Sequence, residues 1–219
     1  MNYKPVIILG AGDFGAVASV YLREAGIKVE AHIVDDARYK TEEKIDGVGV
    51  AVCATEEIER HFSPRYFDCI VAIGYSKLNA NRVKKCEQMA AIGYELRPFV
   101  HPGVHPHGRI GRGAFVFERN TIQPYAEIGD YCVLWSGNHI GHHASIGRGA
   151  FITSHVCVSS RCAVGERSFL GVNSTLTERV TLGAACIVQA GAVVDRNLPD
   201  ESVYARDGLS KVPSSRVKL

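Results

Sequence analysis

Three of the chain's nine histidines stand within five positions, in LWSGNHIGHHASIG at 134–147. His139, His142 and His143 could serve as metal ligands, as an acid–base site, or as solvated surface. An imidazole titrates near neutral pH, so any of them could take a proton from an attacking amine or hydroxyl. A second stretch with chemical meaning is GAGDFG at 10–15. Its spacing is Gly-x-Gly-x-x-Gly, in which glycines let the backbone approach a phosphate and a helix N-terminus offers free N–H groups. Asp35 and Asp36 follow about twenty residues later, where an acid often meets a ribose hydroxyl.

These residues need elements to hold them, and residues 4 to 100 read as alternating strands and helices. PVIILG is an apolar run bounded by Pro5 and Gly10, as a buried strand should be. FGAVASVYLREAG has helical spacing and ends at Gly26. KVEAHIVDD is a second strand, TEEIERHF a helix opening on a Thr55 cap, and FDCIVAIG a third strand. LNANRVKKCEQMAAIG is a further helix closed by Gly93. The alternation predicts a parallel sheet with right-handed crossovers. GAGDFG therefore leaves a strand and opens a helix. A full dinucleotide fold needs two such halves, and the roughly 95 residues here supply one. The loop reads as a site for a nucleoside-diphosphate ligand. A nicotinamide or flavin dinucleotide and a ligand-free turn are the alternatives.

From Val104 the pattern changes. Every sixth residue is aliphatic: Val104, Ile110, Val116, Ile122, Ile128, Leu134, Ile140, Ile146, Ile152, Val158, Val164, Leu170, Leu176, Leu182, Val188 and Val194. The residue four after each is mostly small. A period of six fits neither a helix nor a flat strand; it fits a parallel β-helix of hexapeptide repeats, three hexads to a coil. The aliphatic residue points inward and the small one accommodates the corner. Sixteen hexads make about five coils, a solenoid roughly 25 Å tall at one inter-strand spacing per coil.

Residues eighteen apart then stack. His139 falls between Thr121 and Cys157, His142 between Pro124 and Ser160, and His143 between Tyr125 and Arg161. The three histidines occupy different places in their hexads. β-Helical carbonic anhydrases bind zinc with two histidines five apart and a third about two coils upstream. His107 and His143 are two coils apart, but 138 is Asn138 and 148 is Arg148, so no metal is expected.

Composition excludes other classes. A net charge of +2 without a basic stripe provides no footprint for nucleic acid. Seven scattered cysteines without a CxxC pair read as reduced, small apolar residues. The apolar run VIILGAG is too short for a membrane span or a secretion signal, which predicts a cytoplasmic protein.

A short domain carrying GAGDFG and Asp35–Asp36, followed by an unbroken run of hexads, resembles the nucleotide-sugar acyltransferases of bacteria. These include amino-sugar N-acetyltransferases and sialic acid O-acetyltransferases. The resemblance implies a small Rossmann-like α/β domain at 1–100 that binds the nucleotide-sugar, an all-β left-handed β-helix at 101–198, and a C-terminal tail at 199–219. It implies a homotrimer with acetyl-CoA as co-substrate in the groove between prisms. GHHASIG matches the family's stretch of histidine, acid and Ile-Gly, so His142 takes the catalytic place, with His143 where the acid stands. Ser160, one coil on, takes the place whose backbone N–H stabilises the oxyanion. Gly10, Gly12, Asp13, Phe14, Gly15, Asp35 and Asp36 match the nucleotide-sugar site. Trp135 stands near the acceptor group, where the family often has asparagine. Gly171, Val172, Asn173, Ala190 and Gly191 match the pantetheine path; AGAVV at 190–194 is kept, but the family's GNPA ending is not. The expected function is N-acetylation of a nucleotide-linked amino sugar with a histidine base. O-acetylation of a sugar hydroxyl and a non-catalytic nucleotide-sugar scaffold are the alternatives.

Overall fold

The structure, a computed structural model, describes residues 4–34, 44–45, 47–205 and 208–209. Packing divides the chain into two units, Met1–Gly74 with Lys84–Arg97 and Tyr75–Val83 with Pro98–Leu219.

In the first unit, β1 (Val6–Leu9) is buried throughout, as its unbroken apolar run requires. Helix α1 (Asp13–Glu24) follows and buries Phe14, Ala18 and Leu22. Then come β2 (Val29–Val34), β3 (Lys44–Ile45) and β4 (Val48–Val52). The sequence reading has no strand at β4, although VGVAV alternates. Thr55 does not cap a helix as expected. Ala54 precedes one 3-10 turn, Thr55–Glu57, which leads into α2 (Ile58–His61), and Thr55 Oγ1 accepts a 2.7 Å hydrogen bond from Lys85 Nζ. β5 (Asp68–Val71) completes the sheet, in the order β3-β4-β2-β1-β5. β1 pairs in parallel with both β2 and β5, and only β3–β4 is antiparallel. The strand order reverses at β1, and such a switch point opens a crevice beyond the carboxyl ends of the strands. Helix α3 (Ala80–Ile92) starts two residues later than LNANRV suggests, because Lys77, Leu78 and Asn79 all have positive φ.

The second unit is the expected left-handed β-helix. Two-residue strands stack in parallel at a spacing of eighteen residues, as in His139 with Cys157 and Ile140 with Val158. Fifteen of the sixteen aliphatic hexad positions belong to one continuous core, and Ile110 packs against it half-buried. The small residues four positions later, such as Ala126, Ala144 and Cys162, are buried inside as well. The turn itself is made one residue earlier. Arg119, Tyr125, Tyr131, His143, His155, Arg161, Arg167, Asn173 and Arg179 all take the left-handed conformation there. Asn120 and Asn138 stand at inward small-residue positions and bond to the backbone around them, although Asn120 Oδ1 is buried without a partner. Asn120 Nδ2 donates to the Phe117 and Trp135 carbonyls, and Asn138 Oδ1 accepts from Val156 N at 2.8 Å.

The solenoid extends past both ends of the six-residue pattern. Phe99–Val100 pairs with Phe115–Val116, and Val203 pairs with Ile187, each sixteen residues apart rather than eighteen. The end coils are two residues short, so a search for every sixth aliphatic residue misses them. At the last coil, Gly208–Leu209 pairs antiparallel with Val203–Ala205. Arg82, 1% exposed, fastens the segment 75–83 to this unit: its Nε donates to the Tyr131 carbonyl at 3.1 Å and its Nη2 to the Gly113 carbonyl at 2.9 Å.

Candidate active site

The prism has three edges, each built from the turns that follow one of its stacked sheets. One edge follows strands Thr121–Ile122, His139–Ile140, Cys157–Val158 and Thr175–Leu176. It carries His142, His143 and Ser160. His142 is exposed, and its backbone N–H donates to Gln123 Oε1 at 2.9 Å. Its Nδ1 lies 3.0 Å from His143 Nδ1, and the two rings meet edge to face. His143 has φ 59° and stacks on Tyr125, one coil earlier, at 4.7 Å between ring centroids. Partial desolvation, then the charges of Arg161 and His142, hold the His143 imidazole below the usual histidine pKa.

Ser160 lies one coil beyond His142, as the eighteen-residue register requires. Gly141 opens the space between them: a Cβ there would sit 2.6 Å from Ser160 N. The Ser160 N–H makes no hydrogen bond among the described residues. An imidazole and an open backbone N–H in adjacent coils are the two groups an acyl transfer needs, one for the proton and one for the tetrahedral oxyanion. Gln123, Tyr125 and Arg161 complete this surface. The register places Tyr125 and Arg161 beside His143, but only the structure reveals Gln123, nineteen residues before His142 and off the stacking interval.

Trp135, Gly171, Val172, Asn173, Ala190 and Gly191 lie on a different edge, after strands Val133–Leu134, Phe169–Leu170 and Ile187–Val188. Trp135 stacks flat on Phe117, at 4.3 Å and 8° between ring planes. Backbone bonds from Asn173 N to Ser154 O and from Gly191 N to Val172 O keep this edge in step. Val172 is exposed and Gly171 is packed tightly, with a Cβ there 2.5 Å from Ala190 N. The structure thus gathers the expected donor-site residues on one edge, together with Trp135, expected near the acceptor, and the histidines on another. His139 is half-buried in a strand of the histidine edge, paired with Thr121 and Cys157. Among the described residues no group of three histidine, cysteine or carboxylate side chains is placed to hold a metal.

In the first unit, GAGDFG links β1 to α1 at the switch point. Gly10 has φ 125°, and a Cβ there would lie 2.5 Å from the Ala72 carbonyl, so packing alone demands glycine. Gly15 is closed off in the same way, by the Gly10 carbonyl. Gly12 is different: its φ is −84° and a Cβ there would meet nothing within 4 Å. Neither conformation nor packing requires glycine at 12, which leaves that face of the loop open to a ligand. Gly12 is the N-cap of α1, no side chain caps the helix, and Asp13 occupies the first turn. The Phe14 side chain is buried, so only its backbone faces the loop. Fully buried His32 braces the loop, with Nδ1 3.0 Å from the Gly10 carbonyl. Asp35 and Asp36 lie outside the described residues.

A single parallel half-sheet with a glycine loop, joined to a left-handed solenoid of hexads, defines a hexapeptide-repeat acyltransferase. Residues 5–88 match the PglD N-terminal domain, and residues 162–196 match the hexapeptide repeat of succinyl-transferase. A search of curated protein sequences finds no match. Among solved structures the chain is similar to PerB from Caulobacter crescentus in complex with CoA and GDP-perosamine, at 29% identity and TM-score 0.82, over 94% of this chain and 96% of that one. It is similar, also at 29% identity, to a histidine-to-asparagine mutant of perosamine N-acetyltransferase from the same organism, with TM-score 0.83 over 94% and 95% of the two chains. The acetyltransferase domain of PglB from Neisseria gonorrhoeae shares the fold, with TM-score 0.84 at 23% identity over 95% and 100%. Across both units the chain is thus similar to nucleotide-sugar acyltransferases.

Proposed function

We propose that this enzyme transfers an acetyl group from acetyl-CoA to the amine of a nucleotide-linked amino sugar. The observation that carries the proposal is the likeness across both units to PerB, whose structure holds CoA and GDP-perosamine. His142 is the general base and the Ser160 N–H the oxyanion donor. The amine nitrogen attacks the thioester carbon and the carbonyl oxygen becomes an oxyanion. His142 takes the proton released from the attacking nitrogen. The C–S bond then breaks, and His142 returns the proton to the leaving thiolate. The loop from Gly10 to Gly15 binds the nucleotide-sugar, with Gly12 giving its diphosphate access and Asp35 and Asp36 meeting the nucleoside.

The donor path runs along Gly171, Val172, Asn173, Ala190 and Gly191, with Trp135 beside the acceptor. Because one prism carries these residues and His142 on different edges, a complete site needs a second copy of the chain. A homotrimer, in which each groove takes one edge from each neighbour, meets that need. Nothing in this chemistry requires a membrane, nucleic acid or a metal, and we place the reaction in the cytoplasm, where nucleotide sugars are used. Among the described residues no helix is long and apolar enough to cross a membrane.

The test is release of free coenzyme A thiol with GDP-perosamine and with UDP-, dTDP- and CMP-linked sugars, each with an amine or a hydroxyl at the acceptor carbon. Turnover of an amino sugar and not of its hydroxyl counterpart is expected. Turnover of the hydroxyl sugars alone would make the enzyme an O-acetyltransferase. Nucleotide-sugar binding without thiol release from any donor–acceptor pair would make it a scaffold.

A further inference from the structure

We propose that His143 is a neutral hydrogen-bond acceptor that holds His142 in the tautomer with a free Nε2 lone pair, so that the base of this enzyme is an imidazole–imidazole pair. The inference rests on the reading of His142 as the base. Its ground is the 3.0 Å approach of the two Nδ1 atoms. Two ring nitrogens at that distance form a hydrogen bond only when one of them carries a proton and the other does not. If His142 donates, its Nε2 is left unprotonated and can accept from the amine. If His143 donates, the proton of neutral His142 sits on Nε2 and the base is disabled. A base at His142 requires the first arrangement, in which His143 must be neutral in order to accept. His143 faces the uncharged phenol ring of Tyr125 from the preceding coil and the Arg161 guanidinium from the following coil. His142 faces Gln123 from the preceding coil. Among the described residues no carboxylate is hydrogen-bonded to either ring. A cation beside His143, with no anion to offset it, disfavours a second proton on that ring. The left-handed backbone at 143 and the stacking on Tyr125 hold the acceptor nitrogen in place.

This arrangement differs functionally from a histidine–carboxylate pair. A carboxylate would stabilise the imidazolium and raise the base's pKa; a neutral imidazole does so far less. A proton added to the pair is shared, so the acidic limb of the rate profile belongs to both rings together.

The test uses the full-length protein labelled with nitrogen-15 histidine, with His142→Asn and His143→Asn assigning the two rings. Imidazole nitrogen shifts at pH 7.5 should show His142 protonated on Nδ1 and not on Nε2. Arg161→Gln should raise the pH at which His143 titrates. These readings stand whether or not any acceptor turns over. Rates are measured with acetyl-CoA and GDP-perosamine. His143→Asn, whose Oδ1 takes the place of Nδ1 and which tolerates positive φ, should keep kcat within about threefold. His143→Gly should lower kcat roughly tenfold with KM little changed, as loss of an orienting bond does. His143→Asp should move the acidic limb upward by about one pH unit. Finding His142 protonated on Nε2, or an unmoved limb in His143→Asp, would overturn the inference. Full activity in His142→Asn would instead overturn the reading of the base, leaving the tautomer measurement to stand by itself.

Discussion

At His142 the proposed chemistry depends on one side chain on a rigid, exposed edge, so removing the imidazole is a clean probe. His142→Asn should lower kcat by about 10²–10⁴-fold, the usual weight of a positioned base. Because the side chain is exposed and the two backbone bonds at 142, from its N–H to Gln123 Oε1 and from the Arg161 N–H to its carbonyl, do not involve the imidazole, circular dichroism and Tm should be unchanged. Wild-type turnover in that variant would remove His142 from the mechanism. A second histidine offers a different measurement. His32 is buried against the GAGDFG loop, and burial holds its pKa below the usual value despite the Gly10 carbonyl. The unfolded chain then binds this proton more readily than the folded one, so stability is full above the ordinary histidine pKa and falls as pH drops through the folded value. Tm should decline from pH 7 to pH 5, and His32→Asn should flatten that decline. At this scale the sequence was partly informative. Adjacent numbering put His142 beside His143, and the register put Ser160 and Arg161 above them. The 3.0 Å contact depends on rotamers and on the left-handed turn at 143, which residue types alone do not reveal.

The hexad governs stability at the scale of the element. Each inward aliphatic residue touches its neighbours in the coils above and below, and Ile140 is fully buried between Ile122 and Val158. Ile140→Ala should cost about 2–5 kcal/mol in chemical denaturation, through lost burial and the cavity left behind. The cysteines report the same packing. No disulfide joins any of the seven; Cys69, Cys86, Cys132, Cys162 and Cys186 are buried, and burial pushes the Cys132 thiol up to about 12. Iodoacetamide on the native protein should label Cys53 and Cys157, the half-buried pair, well before the other five. The solenoid was legible because a period of six has no other structural meaning, and the first sheet because its strands are short apolar runs between turns. The strand Val48–Val52 escaped, since three valines broken by glycine and alanine make a weak signal beside a polar stretch. The end coils escaped because their sixteen-residue spacing falls outside the repeat.

The whole-molecule question is where one active site ends and the next begins. If the histidine edge of one copy faces the tryptophan edge of another, two inactive variants should complement each other. His142→Asn damages one edge, and Val172→Trp obstructs the other at an exposed position. Co-expressed in equal amounts, they should assemble at random into trimers, and about a quarter of all grooves should pair two intact edges, with activity to match. Sedimentation should give a trimer for each variant and for the mixture. No recovered activity from mixed trimers would place each site within one chain.

A stack of parallel coils is also a growing surface. Its last coil presents a row of unpaired N–H and C=O groups in the same direction as every coil before it, the geometry by which cross-β fibres recruit further strands. Here Gly208–Leu209 lies along that edge in the opposite direction, and the coil beneath it is two residues short. An incoming parallel strand meets the wrong polarity and the wrong perimeter. On this one of the three sheets the polarity of the stack is reversed at its end, which works against end-to-end growth by further parallel strands.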